Sequence, residues 1–99
     1  MSNAIMFISF KLAAEVSALD FTKASEKMHR EFISKQKGFI SWKQLIDGDK
    51  WADLVTWETT DCAKNAMAAS YNDAASGEFF ALLDMESVNA QLYEVRSSF

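Results

Sequence analysis

The chain has no proline, three glycines and one cysteine in 99 residues. Without proline, no helix or strand has to stop where a ring removes a backbone donor. The lone Cys62 excludes an internal disulfide and a thiolate cluster for zinc. Gly38, Gly48 and Gly77 lie too far apart for a phosphate-cradling loop. Basic side chains are the minority, ten against fourteen acidic, for a formal net charge of −4. No run of them occurs, so the clustered basic surface that nucleic acid requires is missing. No apolar run approaches the ~20 residues that cross a bilayer, so no membrane partner is expected. The opening MSNAIMFISFKL has no basic lead-in and no small-residue cleavage pattern, and so does not read as a secretory leader. A cytoplasmic location is the expectation. Asp47, Asp49 and Asp53 lack the spacing of a calcium loop, and turn chemistry explains the first two. No metal and no cofactor is expected.

Apolar residues make up 49% of the chain and aromatic ones 13%. That suffices for a core and argues against disorder. The length fits one domain, residues 1–99.

Ile5 to Leu12 alternates as a strand, with Met6, Ile8, Phe10 and Leu12 on one face. Ser17-Ala-Leu-Asp20 has the form of a helix start. Apolar residues at 21, 24, 28 and 32 then mark one helical stripe. Gly38 ends a helix of roughly twenty residues. Glu26 with Arg30, and Glu31 with Lys35, stand four apart in the favourable order. Phe39–Ile46 and Trp51–Thr59 flank Asp47-Gly48-Asp49-Lys50 as a hairpin. Thr60 or Asp61 caps a second helix, with Ala63, Ala66, Met67 and Ser70 or Tyr71 facing inward. Residues 70–77 read as a loop, 78–84 as a short helical turn, and Met85–Arg96 as the last strand. This order predicts an α+β, ferredoxin-like βαββαβ plan, a four-stranded antiparallel sheet with two helices on one face. The opposite sheet face is left bare and partly apolar, which predicts a homodimer formed through it.

All three tryptophans fall in the hairpin. With an even-length loop, Ile40, Trp42, Gln44, Ile46, Trp51, Asp53, Val55 and Trp57 share one face. A three-residue loop or a bulge breaks that grouping. Whether the face meets the helices or a second subunit is open at this stage.

Gly38-Phe39-Ile40-Ser41-Trp42, Val55-Thr56-Trp57-Glu58 followed by Ala63, and Leu83-Asp84-Met85-Glu86-Ser87-Val88 resemble stretches of the dimeric α+β barrel proteins. The resemblance is to the antibiotic-biosynthesis-monooxygenase-like group and spans nearly the whole chain. It implies a homodimer with face-to-face sheets and an apolar pocket between sheet and helices in each subunit. It also implies oxidation of polyketide-like aromatics by dioxygen without a cofactor, as some members perform. Another branch degrades haem with a first-strand asparagine and a Trp and a His near the second helix. Here Phe7-Ile8-Ser9-Phe10 has no asparagine and no histidine follows Met67, so haem degradation is disfavoured.

His29, the only histidine, is the catalytic candidate, a base at a pocket rim. The plainer reading, a half-exposed helix residue beside Arg30, is favoured because no orienting carboxylate is identifiable. Cys62 in the first turn of the second helix lacks a histidine partner. Trp42, Trp57, Phe10, Tyr71, Phe79 and Phe80 are the candidate ligand-pocket residues. Asp53 and Gln44 are polar exceptions on the indole face, placed to orient a ligand or to sit at a wet hairpin end. The functional expectation is a cofactor-independent, monooxygenase-like protein acting on an apolar or aromatic small molecule. Its alternatives are a non-catalytic ligand-binding or regulatory homodimer, and a purely structural module with a filled pocket.

Overall fold

A β-branched and aromatic apolar run sets the first strand, β1 (Ala4–Leu12), in a computed structural model that describes residues 2–99. Met1 lies outside the described residues. There follow α1 (Ala18–Glu31), β2 (Phe39–Asp47), β3 (Lys50–Trp57), α2 (Thr60–Ser70), α3 (Ala74–Phe80) and β4 (Leu83–Glu94). The strands form one antiparallel sheet in the order β2-β3-β1-β4. This is the ferredoxin-like arrangement, with the helices packed on one face.

Ser17 caps α1 by accepting from the Asp20 N–H at 3.0 Å. The helix is shorter than its apolar stripe suggests, 14 residues, because Phe32 leaves helical geometry at φ −129° and ψ −69°. A 3-10 turn, Ile33–Lys35, follows. The break turns two consecutive apolar residues, Phe32 and Ile33, into the core together. Ser25, and not Ala24, occupies the buried stripe between Phe21 and Met28. Its hydroxyl donates to the Phe21 carbonyl at 2.8 Å and accepts from Gln44 Nε2 at 2.9 Å, so burial leaves it satisfied. The two i,i+4 ion pairs do not form as expected. Arg30 meets Glu31 at 3.5 Å, and Lys27 crosses to Glu78 on α3 at 2.7 Å.

Gly38 is held at φ +83°, and a Cβ built there would lie 2.5 Å from Cys62 Sγ. Both the backbone and the approach of α2 therefore require glycine. Thr59, one residue before the expected cap, accepts from the Cys62 N–H at 3.1 Å. Asp73 caps α3, accepting from the Ser76 N–H at 2.8 Å and hydroxyl at 2.9 Å. That cap starts a helix inside the stretch that reads as a loop. The last strand in turn begins at Leu83, two residues early, and ends at Glu94.

Asp47 pairs with Lys50, which closes a two-residue Gly48-Asp49 loop with Gly48 at φ +63°. The three indoles therefore share one face, and that face meets the helices. One member of the predicted group changes. A bulge at Ile40 makes Phe39 oppose Trp57, and Ile40 turns outward at 46% exposure. The far face carries Ile5, Phe7, Leu45, Leu54 and Tyr93, all partly or well exposed.

Candidate functional site

Period-two alternation aims Trp42 of β2, Asp53, Val55 and Trp57 of β3, and Met6 and Ile8 of β1 at the helices. Helical periodicity aims Met28 of α1, Ala66, Met67 and Ser70 of α2, and Phe79 and Phe80 of α3 back at the sheet. Together with Phe32 and Ile33 these side chains line a partly open cavity of about 80 Å³. Its aromatic walls are packed edge to face. Trp42 and Phe79 lie 5.7 Å apart at 78°, and Phe79 and Phe80 lie 5.8 Å apart at 70°. Phe39 braces Trp57 from behind at 5.7 Å.

Asp53 is the one titratable group in this lining. It is 3% exposed, and its Oδ1 has no hydrogen-bond partner. Burial raises its carboxyl from the ordinary 3.8 to about 6. Trp42 and Gln44, on the neighbouring strand, lie close enough to favour the charged form and so oppose that rise. Even so, the indole Nε1 of Trp42 makes no hydrogen bond of normal length and angle, and neither does Nε1 of Trp57. Among the described residues the site thus holds one buried acceptor and two buried donors without a bond of normal geometry, in a wall whose other polar side chain is Ser70, already bonded to the Met67 carbonyl.

Outside the cavity, between α1 and β2, runs an open groove of about 760 Å³, lined by Ser25, Glu26, His29, Arg30, Ser34, Trp42 and Gln44. Trp42 lines both spaces and so stands between them.

The predicted site residues divide accordingly. Trp42, Trp57, Phe79 and Phe80 line the cavity. Phe10 is buried outside that lining, packed on Phe21 at 5.6 Å and Phe79 at 6.5 Å. Tyr71 is 73% exposed at the end of α2, its ring 6.4 Å from that of Phe80. His29 is exposed in the groove, 5.8 Å from the Phe39 ring, and does not reach the cavity. The third indole, Trp51, packs on Phe21 at 5.0 Å, away from the cavity. Asp53 stood out in the sequence as an acid on an apolar face, placed to orient a ligand or to sit at a wet hairpin end, and its burial excludes the wet end. Met6, Met28 and Ser70 were legible as inward-facing positions but not as pocket lining. Among the described residues no cluster of His, Cys, Asp and Glu is placed to hold a metal ion, and no helix is long and apolar enough to cross a membrane.

No protein-family model matches the sequence, and no curated protein does at a significant level. Solved structures do match in fold. SnoaB, a cofactor-independent oxygenase from Streptomyces nogalater, superposes at a TM-score of 0.79 with 15% identity, covering 99% of this chain and 97% of its own. A monooxygenase from the ActVA-Orf6 gene of Streptomyces coelicolor, in complex with nanaomycin D, gives 0.75 with 15% identity over 99% and 91%. A Nitrosomonas europaea protein provisionally named an antibiotic biosynthesis monooxygenase gives 0.72 with 10% identity over 96% and 91%. Identities this low carry fold and not activity. In fold, then, this chain is similar to these proteins, with the same four-stranded antiparallel sheet covered by helices on one face.

Proposed function

We propose that the cavity takes a ring of an apolar aromatic small molecule, and that the protein oxidises this molecule with dioxygen without a cofactor. The observation that carries the reading is the cavity walled by Trp42, Trp57, Phe79 and Phe80, with a single carboxyl in its wall. The shared fold of SnoaB, a cofactor-independent oxygenase, supports it.

At about 80 Å³ the cavity is smaller than the ~150 Å³ apolar cavity that accepts benzene, so a ring enters only if a wall yields. Trp42 is that wall, since the large groove lies directly beyond it. Met6, Met28 and Met67 make the remaining surface adaptable, because unbranched thioether chains repack at low cost. Removing a proton from the bound molecule leaves an electron-rich anion, which dioxygen attacks. For an activated methylene, one dioxygen converts the carbon and its two hydrogens into a carbonyl and one water. The carbon loses four electrons, one oxygen atom becomes its carbonyl and the other leaves as water. The bare sheet face, with Phe7 and Leu54 at its centre, pairs with a second copy in this reading.

Oxygen uptake with hydroxylated aromatic ketones and hydroquinones, without added metal, flavin or haem, tests the proposal. Protein-dependent uptake that Trp42→Ala or Trp57→Ala abolishes is the expected result. Labelled dioxygen should leave one labelled atom in the product. The small volume favours one second reading, a ligand-binding homodimer without chemistry. Saturable binding with no uptake above the tryptophan variants would select it.

A further inference from the structure

Three buried polar atoms of the cavity residues lack partners, namely Oδ1 of Asp53 and Nε1 of Trp42 and Trp57. Folded proteins seldom leave such atoms unpaired, and a catalytic role or a bound water or ion is among the recognised reasons. An indole N–H only donates, and an ionised carboxylate only accepts. Trp42 and Gln44 already lie toward Asp53 from the neighbouring strand, so the ligand that completes the set carries a hydroxyl for Asp53 Oδ1 and an oxygen acceptor for the Trp57 indole.

We propose that Asp53 is the specificity-determining group of the cavity, accepting as a carboxylate the hydroxyl hydrogen of an aromatic ligand. The inference rests on the cavity being a ligand site, as proposed above. No other charged group competes for the contact. Asp53 is opposed by Ile8 on β1 and Gln44 on β2, while Met28, Met67, Ser70 and Phe79 face the same cavity from the helices. His29, Arg30 and Glu26 lie in the outer groove. With burial raising the carboxyl to about 6, Asp53 is charged at neutral pH and neutral in mild acid. In the oxidation described above, the ligand O–H bond breaks at this contact. The proton passes to Asp53, and the electron pair stays on the ligand oxygen, where an indole N–H favours the negative charge.

The test compares phenol with anisole, which has the same ring but no hydroxyl hydrogen. Phenol stays neutral between pH 5 and 8, as a tyrosine side chain does. Binding is followed through the indole N–H signals of the protein. Phenol affinity for the wild-type protein should rise about tenfold from pH 5 to 7.5, with a midpoint near 6, as the acceptor becomes charged. Anisole affinity should not change with pH. Asp53→Asn should bind phenol with no rise. If phenol and anisole show the same pH response, or if Asp53→Asn keeps the rise, the inference is overturned while the cavity stands as a ligand site. Should neither compound bind the wild-type protein, the cavity reading falls, and this inference with it. The phenol–anisole contrast needs only wild-type protein, so it decides the matter even if the variant fails to fold.

Discussion

Replacing Asp53 by asparagine should make the protein more stable at neutral pH. The carboxyl sits almost fully buried on the inner face of β3, with one oxygen unpartnered. Folding moves it from the ordinary 3.8 to about 6. That displacement corresponds to about 3 kcal/mol of stability. The sign follows from which state holds the proton more tightly. Well below pH 3.8 the group is neutral in both states and folding loses nothing; between 3.8 and about 6 the unfolded carboxyl ionises first and stability falls. As pH rises through 6 the folded carboxyl is forced to ionise in an apolar wall, and the stability is lost. The asparagine amide stays neutral throughout, so the variant escapes this cost. Thermal melts by circular dichroism at pH 4 and 7.5 measure the difference. Asp53→Asn should melt roughly 12–24 °C above wild type at pH 7.5, and close to it at pH 4. Other titrating groups cancel, because only the difference between the two proteins is read. If the variant is equally destabilised at both pH values, Asp53 is a satisfied structural acceptor and the reasoning fails. A destabilising carboxyl kept in a cavity wall fits a site where stability is traded for function.

Other perturbations test the frame around the site. Gly38→Ala should cost more than about 1 kcal/mol, because it forces a side chain into left-handed backbone and against Cys62 Sγ. Gly38→Ala with Cys62→Ala should recover part of that loss in urea midpoints, and no recovery would refute the clash. Thr59→Ala should lower stability by about 1 kcal/mol through loss of the cap on the Cys62 N–H, whereas Thr60→Ala should not. Phe7→Lys, on the bare sheet face, should convert a dimer to a monomer in sedimentation while leaving the circular dichroism spectrum unchanged. A dimer that survives it uses another surface.

Much of the fold was legible because side-chain period and turn chemistry are local signals. Asp47-Gly48-Asp49-Lys50 announces a hairpin, and an even-length loop puts the indoles on one side. The bulge at Ile40 was not legible. It is set by how β2 pairs with β3, and nothing in Gly38-Phe39-Ile40 alone distinguishes it. The early end of α1 was hidden for a similar reason. Burying Phe32 and Ile33 together is a demand of the core, and it overrides a helical pattern that runs on. For α3 the misreading came from composition. Ala-Ala-Ser-Gly looks like a loop until Asp73 is recognised as a cap. At the site, the aromatic residues were easy to nominate and hard to sort. Tyr71 and Ser70 are neighbours at the end of α2, yet one points to solvent and the other lines the cavity. Asp53 stood out as an exception, but its isolation from every cation became visible only once the sheet and helices were assembled.

The central claim is that Trp42 and Trp57 wall a cavity that takes an aromatic ring, while Trp51 does not. The three indole N–H groups give separate signals in a 15N-correlated NMR spectrum of labelled protein. Titration with phenol at pH 7.5 should shift the Trp42 and Trp57 signals saturably and together, leaving Trp51 in place. No saturable shift, or a shift confined to Trp51, would contradict the account.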